Sequence, residues 1–108
     1  MALTQITFGL VGAQNKASHL PAMLATGTQS SEDIVPSGSS QATTIAAPNV
    51  ADVLPFARVA TDTDVYVAFG TAPVATSATT RFFVPAGSVE YFAVKAGDKA
   101  AVGTLEVA

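Results

Sequence analysis

The carboxylates that sit closest together in the chain with a turn's spacing are Asp62 and Asp64, in "TDTD". On a strand, alternate residues share one face, so the two could reach a single cation together. A calcium site needs six to eight oxygens, and no EF-type loop follows the pair. Asp and Thr also belong at turn corners, where their side chains bond to backbone, and that structural reading is the stronger one. A glycosidase pair is weaker still, because neither residue lies among aromatics that would stack a sugar. His19 is the single histidine. A general base is the sharpest role for it, but it has no second histidine with which to build a metal cluster. Serines and threonines are plentiful, yet no Gly-x-Ser-x-Gly elbow occurs. Glu90 and Lys95 are read as lying on opposite faces of one strand, five residues apart, which is not an acid–base couple. No convergent set of nucleophile, base and orienting group emerges. The expectation is a non-enzymatic protein with no cofactor, no metal and no catalytic residue.

Residues that bind protein are easier to find. Arg58 and Arg81 each stand in a β-like run. An arginine with its stem on an apolar face and its head at the rim is ordinary at a surface, and arginine is also a common hot spot of protein interfaces. The pairs Phe82–Phe83 and Tyr91–Phe92 are adjacent aromatics, so within each pair the two rings face opposite sides of a sheet. One ring of each belongs to a core, and the other needs cover from a second sheet or a partner.

These residues must be positioned by a small domain. The chain has 108 residues, enough for one core. Hydrophobic residues make up 49% of it, dominated by Ala and Val, with abundant Thr and with breaks at eight Gly and six Pro. Small and β-branched residues with regular breaks suit closely packed sheets. Charged residues are 12% and the net charge is −3. A nucleic-acid surface would need clustered Lys and Arg, so none is expected. There is no cysteine, which excludes disulfides and thiolate metal sites. The N-terminus lacks the basic region of a secretory signal, and no stretch approaches the ~20 apolar residues of a membrane span.

Along the chain, residues 3–11 alternate, with Thr4, Ile6, Phe8 and Leu10 on the apolar side, and so predict a strand. Residues 1–28 are read as an N-terminal arm or strand packed on the body or on a neighbour. Residues 29–39 are read as a polar loop, and residues 40–108 as the body. Within the body, "QATTIAA", "FARVAT", "DVYVAFG", "RFFV", "VEYFAV", "KAAV" and "TLEVA" read as short strands. In "VPAGS", Pro85 suits the second position of a turn and Gly87 a left-handed position after it; Gly97 does the same in "KAGD". Short strands separated by Gly and Pro turns predict an all-β protein. The expected fold is a small antiparallel β-sandwich, jelly-roll-like, or a barrel, with an extended N-terminal arm.

Residues 65–76 ("VYVAFGTAPVAT"), 82–87 ("FFVPAG"), 90–94 ("EYFAV") and 97–102 ("GDKAAV") together resemble a pattern of small structural proteins of tailed bacteriophages and prophages. The match covers the chain from about Phe56 onward; the first 50 residues carry no motif of this kind. The resemblance implies a virion component, a head decoration or cement-like accessory capsid protein. It further implies a homo-oligomer, with a trimer favoured, that contacts the major capsid protein or other virion proteins. The place of action would be the virion, after assembly in the host cytoplasm. The candidate interface residues are then Phe8, Leu10, Leu20, Met23 and Leu24 of the arm, with Arg58, Arg81, Phe83 and Tyr91 of the body. The alternative reading is a carbohydrate- or receptor-binding β-module of a phage particle, presenting hydroxyls and amides from its loops.

Overall fold

The structure, a computed structural model, describes residues 2–10, 29–49, 55–76 and 81–104. Eight strands account for its regular elements: β1 (Thr4–Leu10), β2 (Ser30–Ile34), β3 (Gln41–Ala42), β4 (Pro55–Thr61), β5 (Val65–Gly70), β6 (Phe82–Val84), β7 (Val89–Ala93) and β8 (Lys99–Thr104). They form two four-stranded sheets, ordered β2-β1-β4-β7 and β3-β8-β5-β6. Every ladder is antiparallel. The molecule is an all-β sandwich with open edges, so the barrel is not the outcome.

Alternation decides which residues fill the space between the sheets. In β4, Pro55, Ala57, Val59 and Thr61 are buried while Phe56, Arg58 and Ala60 are only half-buried. In β5, Val65 and Val67 point inward beside the partly buried Phe69. The first sheet contributes Ile6, Phe8, Ala57 and Val59 to the core, and the second contributes Val65, Val67, Val84, Ala100 and Val102. A one-residue slip of any of these strands would turn its apolar set outward, and this fixes the register.

The pairing scheme is that of a long hairpin rolled into two sheets. β5 pairs with β6, β4 with β7 and β3 with β8. The next rung would join β2 to a strand following β8. That place, between β2 and β4, is filled by β1. The strand order is thus jelly-roll-like, with the first strand standing where the last would stand.

Two expectations about organisation are corrected by this. Thr4–Leu10 is the strand that its alternation predicts, but it is central and paired on both sides, so these residues are not an arm laid on a finished body. Ser30–Ile34, expected in a polar loop, is an edge strand. Its core-side positions are Ser30, Glu32 and Ile34, of which Ile34 alone is apolar and buried. An edge strand borders the core on one side, so a single apolar residue and a backbone ladder suffice. The Glu32 carboxylate closes this side of the sandwich. It accepts hydrogen bonds from Thr44 N (2.8 Å), Thr44 Oγ1 (3.0 Å) and Ile45 N (3.3 Å). The opposite side is closed by aromatics: Phe92 of β7 contacts Phe82 and Phe69 of the second sheet at ring centroid distances of 5.2 and 5.0 Å.

"KAAV" and the residues after it form one strand through Gly103 as far as Thr104. Gly103 is therefore no break. The turns fall at Gly87 (φ 79°) and Gly97 (φ 87°), as their sequence context predicts. In detail, Ser88 N donates to Pro85 O and Asp98 N to Lys95 O. Pro85 is thus the first and not the second residue of its turn. Each glycine takes the third position, where a left-handed backbone is needed.

Candidate functional site

The outward face of the first sheet gathers the residues best suited to binding. The ladders place Gln5, Ala60 and Val89 in one row, Thr7, Arg58 and Tyr91 in the next, and Gly9, Phe56 and Ala93 in a third. Thr7 and Gly9 are buried, while Tyr91 is 58% exposed and Val89 46%. The Phe56 and Tyr91 rings lie 5.5 Å apart, tilted at 39°. At one end of this face an open depression of about 370 Å³ is lined by Leu3, Gln5, Ala60, Thr61, Asp62, Gly87, Ser88 and Val89. Two of its lining residues are joined by a reciprocal clamp. Leu3 N donates to Asp62 Oδ1 at 2.6 Å, and Asp62 N donates to Leu3 O at 3.1 Å.

A second cluster lies on the outward face of the other sheet. Tyr66 and Phe83 are cross-strand partners, with rings 5.6 Å apart at 61°. The Arg81 guanidinium stacks 3.7 Å above the Tyr66 ring, a cation–π contact. Arg81 Nη1 is buried with no hydrogen-bond partner among the described residues. Phe83 is 47% exposed. This cluster and Tyr91 stand on opposite outer surfaces of the sandwich.

The candidate residues therefore separate into three groups. Arg58, Arg81, Phe83 and Tyr91 are at the surface. Phe8 and Leu10 are not: Phe8 is 0% exposed and Leu10 5%, because β1 is a core strand whose even positions face the opposing sheet. Leu20, Met23 and Leu24 lie outside the described residues, as does His19. The split of each aromatic pair holds. Phe92 faces the sandwich interior with Phe82 at its rim, while Tyr91 and Phe83 face outward. Reasoning from sequence passed over Phe56, Val89 and Tyr66. The signal was present, since strand parity puts Phe56 with Arg58, Val89 with Tyr91, and Tyr66 opposite the core valines of β5.

Asp62 and Asp64 spend carboxylate oxygens on backbone. Asp64 Oδ1 accepts from Ala86 N at 2.8 Å, so the pair ties the β4–β5 corner to β1 and to the β6–β7 turn. These partners are distant in sequence, unlike the local ones that a turn corner suggests. Lys95 lies beyond β7, in the turn before β8, and shares no strand with Glu90. Among the described residues no three of His, Cys, Asp or Glu are grouped to hold a metal ion. No helix of the described residues is long and apolar enough to cross a membrane.

No protein-family model matches the chain, and neither a curated protein nor a solved structure does. The class of the protein is thus set by its fold, a small antiparallel β-sandwich.

Proposed function

We propose that this is a non-enzymatic structural protein of a virion, a capsid decoration or stabilising protein that works through contacts with its own copies and with the major capsid protein or other virion proteins. The observation that carries this reading is the outward face of the first sheet. There Arg58, Phe56 and Tyr91 form an aromatic–arginine group flanked by the exposed apolar Val89 and Leu3. Tyr and Arg dominate the energetics of protein interfaces, and a face of this composition is suited to burial against protein. The resemblance over residues 65–102 points the same way.

The reading is tested by co-sedimentation with capsids that lack decoration. The wild-type protein is expected to bind. Arg58→Ala and Tyr91→Ala are each expected to weaken binding by ~30-fold, the effect of losing a hot-spot side chain of about 2 kcal/mol. Equal binding by wild type and both variants would refute the role of this face.

A carbohydrate- or receptor-binding module is the second reading. It is favoured by one feature: the exposed Tyr91 ring stands on the same face as a depression that offers Gln5 and Asp62. Tyr91-dependent retention on a glycan array, without capsid binding, would select it.

A further inference from the structure

The four sheet edges are defended unequally. β3 has two residues and β6 three, and short edges offer little to pair with. β2 carries Glu32 and Asp33, and its Glu32 carboxylate is tied across to Thr44 and Ile45. β7 has one of these devices only, a single charge on its core-side parity. It has five residues, no proline and one charge, Glu90. Among the described residues nothing pairs with its outer side.

The ladder shows which backbone groups are open. Val94 N donates to Pro55 O, and Thr61 N donates to Ser88 O, so the even-numbered residues of this segment bond to β4. In an antiparallel ladder alternate residues bond to the same neighbour. The N–H and C=O groups of Val89, Tyr91 and Ala93 therefore point away from the sheet. Apolar surface flanks this open row on both sides. Val89 and Tyr91 are exposed above it, and Phe82, 52% exposed, lies below it against Phe92.

We propose that β7 is an assembly edge at which two copies of this chain pair antiparallel about a two-fold axis through Tyr91. The register follows from the strand itself. With Tyr91 opposite its own copy, Val89 faces Ala93 and all three open residues are paired, giving about six hydrogen bonds. Glu90 then stands opposite Phe92. A two-fold pairing centred on Glu90 would use two of the three open residues and set two carboxylates directly opposite each other, which is destabilising. One centred on Phe92 also uses only two. The pairing joins two four-stranded sheets into one and places the Arg58–Tyr91 faces of both copies side by side. It deepens the reading above by naming the surface that meets the second copy. A trimer has no two-fold axis for this contact, so the count of subunits bears directly on it.

Three variants of the full chain test the edge, read by light scattering and cross-linking. Ala93→Pro removes an outward N–H that β4 does not use, so the fold is kept while the pairing is blocked. Val89→Lys places a charge on the edge without touching the backbone. Tyr91→Cys puts the only thiol of the chain opposite its copy, at a Cα separation of ~5.5 Å that a disulfide spans. The expected results are a wild-type dimer, dissociation at least ~10-fold easier for Ala93→Pro and Val89→Lys, and disulfide-linked dimers for Tyr91→Cys but not for Ser31→Cys on the opposite edge. A wild-type monomer, a trimer, or an oligomer indifferent to both edge variants with no Tyr91→Cys dimer would overturn the proposal. A monomer that still binds capsids leaves the decoration reading standing. An edge-sensitive dimer that ignores capsids does the reverse.

Discussion

Two buried hydroxyls hold the start of β1 to the end of β4, and their hydrogen bonds are unequal in a way that mutation can read. Thr4 is 0% exposed and Thr61 6%, with their Oγ1 atoms 2.9 Å apart. Thr61 Oγ1 also donates to Thr63 O at 2.7 Å and accepts from Thr63 N at 3.3 Å. A hydroxyl has one proton. Thr61 directs its proton to Thr63, so Thr4 is the donor of the shared bond. Thr4→Val removes that donor and leaves Thr61 its other two partners. The cost is the net value of one hydrogen bond, ~1 kcal/mol or less. Thr61→Val leaves the Thr4 hydroxyl buried without a partner among the described residues, at ~1–3 kcal/mol, and frees both backbone groups of Thr63, for a total of about 2–4 kcal/mol. The double Val variant removes the orphan as well, so it is expected to be more stable than Thr61→Val alone by ~1–2 kcal/mol. Urea denaturation of the four proteins measures this, the last difference appearing as a midpoint shift of roughly 1 M. If Thr4→Val proves as damaging as Thr61→Val, or if the double variant falls at the sum of the single ones, the assigned direction of these bonds is wrong.

Further expectations concern packing and backbone. Phe8→Ala should cost ~3–5 kcal/mol, a large part of the total stability of a domain this size, because the ring is fully buried between the sheets; a loss under ~1 kcal/mol in the same denaturation assay would mean that Phe8 is not a core residue. Gly87→Ala and Gly97→Ala should each cost ~1 kcal/mol through backbone strain alone, since a Cβ at either site meets no atom within 4 Å while φ is positive. Gly103→Ala should be near neutral, because its new methyl would make ordinary contact with Ala75 Cβ at 3.5 Å, and a melting-temperature drop there as large as at Gly87 would contradict the distinction.

What the sequence discloses follows from how local the controlling interactions are. The strands β4, β5 and β7 are legible because alternation over five to seven residues reports two faces directly. The positive φ of Gly87 and Gly97 is legible because a turn is a four-residue event. The role of β1 is not. Its alternation marks a strand, but its place between β2 and β4 depends on pairings such as Phe8 with Ala57, far apart in the chain. Phe8 and Leu10 therefore read equally well as surface for a neighbour and as core, and the pairing makes them core. β2 was hidden because its sequence, "SSEDI", carries one apolar residue and the rest of its stability comes from a ladder with β1. At the site, parity alone puts Arg58 and Tyr91 outward. That they are neighbours in one row needs the β4–β7 register, which no local pattern contains.

The two open sides of the sandwich differ in what they leave for a second copy to cover, and this is what the proposed pairing rests on. On the β2 side, a carboxylate spans the gap and its hydrogen bonds end within the chain, at Thr44 and Ile45. The charged group on that edge is thus satisfied inside the chain. On the β7 side the gap is closed by Phe92 against Phe82 and Phe69, which leaves one ring half in water and a row of backbone groups unpaired at the rim. Hydrogen bonds between chains gain little net free energy over bonds to water, so the open row alone would not drive association. In the proposed pairing the apolar surface beside it would supply the drive, at ~25 cal/mol per Å² removed from water, and the backbone row would set the geometry. A chain selected to remain monomeric would place lysine, proline or a bulge at such an edge. Val89, Tyr91 and Ala93 do the opposite, and they continue the face on which Arg58 and Phe56 stand.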